Sequence, residues 1–316
     1  MDFADKKNAY VFPGQGSQIV GMGKELAEVF PSANEIFKQA DEILGFELSK
    51  LAWEGPEEEL NDTFNTQPAL MTHSIAAWCV FNEKYPKIEP AFIAGHSMGE
   101  LSALVISGAM SFAEGLRLVR KRGELMKQAG EISPGGMAAI MGLDITTVEG
   151  IVSEAGNDAE PLELANDNCP GQAVVSGAPK AVERALSMAK EAGAKRAVPL
   201  AVSIAAHSPL MNHAQEDFNE AVQESPITKP EVPIIGNVTA RPLRTTNEIR
   251  EDLQCQLRSR VRWTETIEYM IDQGVEVFIE LGTRDALCGL IRRINKQVYR
   301  FPLGAPEDFE KLNQSQ

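Results

Sequence analysis

Along the chain, short apolar runs alternate with longer segments in which apolar positions recur every three or four residues. Runs at 9–12, 91–95, 232–237, 275–281 and 298–302 read as buried strands, and segments 67–84, 111–129, 264–273 and 285–296 carry helical spacing. Such alternation predicts α/β architecture. From 133 to 202 the elements shorten: strand-like 136–143, helical 146–155, strands at 162–165 and 173–176, helical 179–192, strand 196–200. That β-α-β-β-α-β order is the ferredoxin-like pattern, with the Asn-, Asp-, Pro- and Gly-rich 166–172 as a turn between its central strands. The predicted organisation is a large α/β domain, 1–132 and 203–316, into which a small domain, 133–202, is inserted.

Composition narrows the function. With 43% apolar and 24% charged residues, the 316-residue chain reads as a globular protein. Its formal charge of −15 argues against nonspecific binding to nucleic acid or to an anionic membrane, both of which need a basic surface. Residues 1–8 are polar, and no apolar run approaches a membrane span. Cys79, Cys169, Cys255 and Cys288 lack metal-ligand spacing and read as reduced residues. A cytoplasmic protein, and a monomer, is the expectation.

One five-residue pattern suggests chemistry. Gly95-His96-Ser97-Met98-Gly99 follows a buried-strand run and precedes a segment, 100–106, able to start a helix. A strand, tight turn and helix would hold Ser97 at an exposed, strained corner, at a helix N-terminus that favours developing negative charge. A serine nucleophile needs a base. Of four histidines, His73 and His213 fall inside helical segments, and His96 should point away from Ser97 and stabilise the turn. His207 sits in a loop after a strand-like run, where catalytic groups concentrate.

An arginine interrupts an apolar stripe. In the helix starting at Ser111, where Ser111 and Glu114 form a capping-box pattern, the stripe runs Leu118, Val119, Arg122, Leu125, Met126, Ala129. A buried guanidinium costs several kcal/mol unless paired. Either an internal carboxylate meets Arg122, or its planar fork clamps a substrate carboxylate. The loop Phe12-Pro13-Gly14-Gln15-Gly16-Ser17-Gln18 could present backbone N–H groups to a ligand or serve as a plain connection.

Taken with Thr66-Gln67-Pro68-Ala69, Arg122-Gly123, 168–171 and His207, these motifs resemble the malonyl-CoA:acyl carrier protein transacylase family, shared with acyltransferase domains of fatty-acid and polyketide synthases. The resemblance runs from position 11 to about 293. It implies an α/β-hydrolase-like large domain with a ferredoxin-like insertion, and ping-pong transfer of a malonyl group from coenzyme A to an acyl carrier protein through acyl-Ser97. It further implies His207 as base, the Gln15 and Met98 amides as oxyanion hole, Arg122 as carboxylate clamp, and Gln67 and Asn168 as substrate-binding residues. A backbone carbonyl, that of Ser259, would orient His207. Malonyl-CoA is the donor, with no permanently bound cofactor and no metal.

The chain departs from the family pattern in three places: Ser259-Arg260-Val261-Arg262-Trp263, Gly282-Thr283-Arg284-Asp285 and Ile204-Ala205-Ala206-His207. Small Ala206 leaves room for an α-methyl group. Arg292, Arg293 and Lys296, or Lys195 and Arg196, are candidate basic patches for an acidic carrier. The alternative activity is acyl-carrier hydrolysis on the same scaffold, against which a carboxylate clamp argues.

Overall fold

The computed structural model describes residues 6–202 and 204–315. Two places used in the sequence reading, positions 1–5 and the junction residue Ser203, lie outside the described residues. Strand β1 (Asn8–Phe12) is followed by α1 (Lys24–Val29), α2 (Pro31–Leu44), α3 (Leu48–Glu54), α4 (Glu57–Asn61) and the long α5 (Thr63–Lys84). Then β2 (Pro90–Gly95) leads into α6 (Gly99–Ile106) and α7 (Phe112–Ile132). The middle of the chain forms β3 (Gly136–Met141), α8 (Ile145–Ala155), β4 (Leu162–Cys169), β5 (Gln172–Gly177), α9 (Pro179–Glu191) and β6 (Arg196–Pro199). The remainder forms α10 (Asn212–Glu224), β7 (Ile234–Ile235), β8 (Pro242–Leu243), α11 (Thr246–Gln256) and α12 (Trp263–Asp272), then β9 (Val277–Leu281), α13 (Ala286–Ile294), β10 (Tyr299–Leu303) and α14 (Pro306–Ser315).

The architecture is mixed α/β with two sheets. The larger has the order β10-β9-β1-β2-β7-β8, parallel from β10 to β7, with β8 antiparallel at the edge. Apart from Asn8 and Glu280, its central strands are apolar on both faces because helices cover both, as parallel sheets require. Register pairs Phe12 with Gly95, so the loops leaving β1 and β2 are neighbours at the carboxyl edge of the sheet. Ligands of open α/β sheets bind at that edge.

The smaller sheet is antiparallel, in the order β4-β5-β3-β6. Alternation along β3 divides its two faces. Ala138 and Ile140 pack in the cluster under α8 and α9, whereas Met137 and Ala139 join the main core and line a cavity between the two sheets.

Three expectations are corrected. Positions 166–172 are not a turn: β4 runs through Asn166, Asp167 and Asn168 to Cys169, and only Pro170 and Gly171 connect it to β5. Register shifts at 164/166 and 167/169, with a bridge from Asn166 to Val261, let these polar residues sit in a strand. The strand expected over 232–237 pairs only at Ile234 and Ile235, because Gly236 and Asn237 are taken by other contacts. The capping pattern of α7 is half made: Ser111 Oγ accepts from the Glu114 amide, but the Glu114 carboxylate turns to Arg117. Among the described residues no helix is long and apolar enough to cross a membrane.

Candidate active site

The turn between β2 and α6 is closed so tightly that two of its residues can only be glycine. A Cβ on Gly95 would stand 1.9 Å from the carbonyl carbon of Gly99, and one on Gly99 would stand 2.3 Å from the Phe12 carbonyl oxygen. Ser97, at the apex, has φ 51°, in the left-handed region where a non-glycine residue costs about 1–3 kcal/mol. Asn237, just past β7, holds the strained corner. Its Nδ2 donates to the Gly95 carbonyl at 2.7 Å, and its Oδ1 accepts from the Ser97 amide at 2.8 Å.

His207 meets the serine from the other side. Its Nε2 lies 2.8 Å from Ser97 Oγ, and its Nδ1 lies 2.9 Å from the Gln256 carbonyl and 3.0 Å from the Ser259 carbonyl. Two carbonyls at Nδ1 require the proton there, which leaves Nε2 as the acceptor for the serine proton. Burial, and then the nearby Arg122 charge, push the imidazole down from 6.5 to about 3, so it is neutral near pH 7. Ser259 therefore contributes its carbonyl, and Gln256 contributes a second that sequence reasoning did not assign.

Arg122 is 1% exposed, on the stripe where its spacing put it. Among the described residues no carboxylate forms an ion pair with it. Its bonds go to neutral acceptors: Nη1 to Gln67 Oε1 at 2.9 Å, Nε and Nη2 to Gln256 Oε1 at 3.2 and 2.8 Å, and Nη2 to Ser97 Oγ at 3.1 Å. Hydrogen bonds to a charged group are worth about 1.5–3 kcal/mol each, enough to offset most of the desolvation cost without neutralising the charge. Burial lowers the guanidinium only to about 10, so the cation persists.

These groups border a cavity of about 720 Å³ between the sheets, lined among others by Gln15, Ser97, Arg122, Asn168, Ala206 and His207. Gln67 is not on its wall; fully buried, it braces Arg122 from behind. His96 is not confined to the turn. Its Nε2 reaches Asn168 Oδ1 at 2.8 Å and ties the elbow to the small sheet. The Gln15 side chain donates to Thr63 Oγ1 at 3.1 Å, and Gly14 packs against the His96 carbonyl, 2.5 Å from where a Cβ would lie. Among the described residues the backbone amides of Gln15 and Met98 donate no hydrogen bond, whereas the Ser97 amide is occupied by Asn237.

Three residues escaped the sequence reading: Asn237, Gln256 and Asp252. The signal was present for two of them. Asp252 and Gln256 lie on the buried face of α11 with Ile249 and Leu253, polar residues on an apolar stripe like Arg122. Glu100, quoted only as the end of a motif, is also fully buried.

The family described as the acyl transferase domain matches residues 9–298. A malonyl CoA-acyl carrier protein transacylase of Bacillus subtilis (strain 168) is 46% identical over 304 residues, which is 96% of this chain and 95% of that one. This chain belongs to the malonyl-CoA:acyl carrier protein transacylase family. The Escherichia coli K12 member is 43% identical, over 90% of this chain and 92% of its own. Among solved family structures, the Coxiella burnetii transacylase superposes with a TM-score of 0.94 at 41% identity, covering 98% of this chain and 97% of that one. A second, described as a type II PKS acyl-carrier protein in complex with its malonyl-transacylase, has a TM-score of 0.94 at 39% identity, covering 98% and 100%.

Proposed function

We propose that this chain transfers a malonyl group from coenzyme A to the phosphopantetheine thiol of an acyl carrier protein, supplying extender units for fatty-acid or polyketide synthesis. The observation that carries the reading is Arg122: a buried cation without a carboxylate partner among the described residues, 3.1 Å from the serine oxygen. A dicarboxylic acyl donor supplies the missing anion while its thioester carbonyl reaches Ser97.

His207 Nε2 takes the Ser97 proton as Oγ attacks the thioester carbon. The oxyanion is received by the Gln15 and Met98 amides, an arrangement that typically contributes about 10²–10³ in rate per donor. Collapse expels the coenzyme A thiolate, which takes the proton from His207, and leaves a malonyl-Ser97 ester. The carrier thiol then gives its proton to His207 and attacks the ester, and Ser97 recovers the proton. Asn168 holds His96 at the cavity wall, and Gln67 fixes Arg122 in register with the acyl carboxylate.

In this reading residues 133–202 are an inserted ferredoxin-like domain whose β-α-β-β-α-β order and 2-3-1-4 strand arrangement fit that class. The rest is an α/β-hydrolase-like domain that supplies Ser97 and His207. The carrier approaches along α13, where Arg293 borders the cavity beside exposed Arg292 and Lys296. The enzyme acts as a cytoplasmic monomer.

The deciding experiment mixes the protein with malonyl-CoA and acyl carrier protein, and measures malonyl-carrier against free malonate. Transfer exceeding release is expected, with one malonyl adduct on Ser97 by intact mass. Free malonate as the main product would make it a hydrolase.

A further inference from the structure

Behind the elbow two carboxyl groups are buried together. Glu100 is 1% exposed in the first turn of α6, and Asp252 is 3% exposed on α11. Glu100 accepts from the Asn237 amide at 3.4 Å and from the Gln256 side-chain amide. Asp252 Oδ2 accepts from the Val238 amide at 3.4 Å, but its Oδ1 is buried with no N–H donor among the described residues. The two carboxyls thus sit against consecutive backbone amides, 237 and 238, and face each other in the buried site. Two carboxylates have four acceptor oxygens and no donor, so that contact needs a proton between them.

The charged and titratable groups around the pair are few. Arg122 faces it from α7 through Gln256, and His207 is reached only through the Gln256 backbone carbonyl. Otherwise the pair meets backbone amides after β7 and the Gln256 side chain. Burial drives Glu100 well above the ordinary carboxylate range. Asp252, also raised by burial, is held down by the Glu100 carboxyl that faces it. A proton on Glu100 gives Asp252, which has one N–H donor to the two of Glu100, the partner it lacks.

We propose that Glu100 and Asp252 share one proton, and that this pair is a positioning device that fixes Gln256 and keeps the Arg122 charge free for the acyl carboxylate. Gln256 links the pair to the guanidinium. Its Nε2 donates to Glu100 and to the Ser97 carbonyl, so its Oε1 must face Arg122, where it takes two hydrogen bonds. An ionised Glu100 would instead place a carboxylate on the far side of one amide from the guanidinium and weaken its pull on substrate. With the proton in place, the negative charge rests on Asp252, turned toward the Val238 amide.

The inference rests on Arg122 as the carboxylate clamp proposed above, so its first test needs no substrate. An infrared difference spectrum, wild type minus E100Q at pH 7, should show a protonated-carboxyl C=O band; its absence overturns the shared proton. In kinetics, E100Q keeps an amide N–H donor for Asp252 and an oxygen for Gln256, and should hold the KM for malonyl-CoA within threefold. E100A should raise it tenfold or more. D252N, which leaves Glu100 ionised opposite an amide, should raise malonyl KM tenfold with under threefold change in transfer from acetyl-CoA. Equal losses for malonyl and acetyl donors in D252N, or an E100Q defect as large as that of E100A, would make the pair mere packing and overturn the proposal. The band together with no malonyl transfer by the wild type would count for the proton and against the transacylase reading.

Discussion

Ser97 and His207 meet at 2.8 Å from backbones that are both left-handed, with φ of 51° and 61°. Two such residues together cost about 2–6 kcal/mol, so the surrounding contacts over-determine the geometry. For Ser97 the holding group is Asn237; for His207 it is its own amide, which donates to the Leu257 carbonyl at 2.9 Å. Asn237→Ala should therefore relax the elbow. The expected outcome is a loss of roughly 1–3 kcal/mol in thermal or urea unfolding and a slower acylation burst with little change in malonyl-CoA KM. An unchanged burst would mean that the turn holds itself.

The glycines set a harder limit. Gly95→Ala would drive a methyl group into the Gly99 backbone, which cannot move without shifting α6. Overpacking against backbone costs upward of about 3 kcal/mol, so this variant should melt markedly lower and form no malonyl-enzyme. Differential scanning calorimetry with intact mass on the same sample checks both.

Arg122→Ala should lose malonyl transfer while keeping some transfer of an acetyl group, read as the ratio of kcat/KM for the two donors. Arg122→Lys should not rescue it. One ammonium cannot serve Gln67, Gln256 and Ser97 at their separate positions. A selectivity ratio unchanged in either variant would remove the clamp.

The pH dependence follows from His207. Its folded value of about 3 lies below the ordinary 6.5, so the base stays neutral in acid. Acyl transfer per correctly folded molecule should be flat from pH 7 to about pH 5, measured as the pre-steady-state burst. Stability behaves differently. His73, pushed by burial to about 4, adds to the same effect. For a depressed histidine the stabilising difference is full above the unfolded value and is lost as pH falls from about 6.5 toward the folded value. Melting temperature should decline across that window, with about 1.4 kcal/mol per pH unit for each histidine involved.

Much of this could be read from the chain because the signals were local. Gly95-His96-Ser97-Met98-Gly99 flanked by a strand and a helix pattern specified a turn, and Arg122 betrayed itself by interrupting a stripe of leucines and methionine. The 166–172 segment misled because its residues have turn chemistry, whereas bulges and the bridge to Val261, a partner nearly 100 positions away, keep it in a strand. Asn237 was invisible for a similar reason. Nothing near it in sequence says that it faces Gly95. Gln256 and Asp252 could have been found by applying to α11 the stripe argument used on α7.

The contacts that build the site are almost all long-range: residue 12 beside 95, 97 with 207 and 237, and 122 with 67 and 256. Such contacts form late, since loop closure must precede them. The first half of the chain carries Ser97, Arg122 and Gln67, but His207, Asn237 and Gln256, which complete the site, come from the second. Ester formation at Ser97 thus reports completed tertiary assembly, and during refolding its return should lag the recovery of helical circular dichroism.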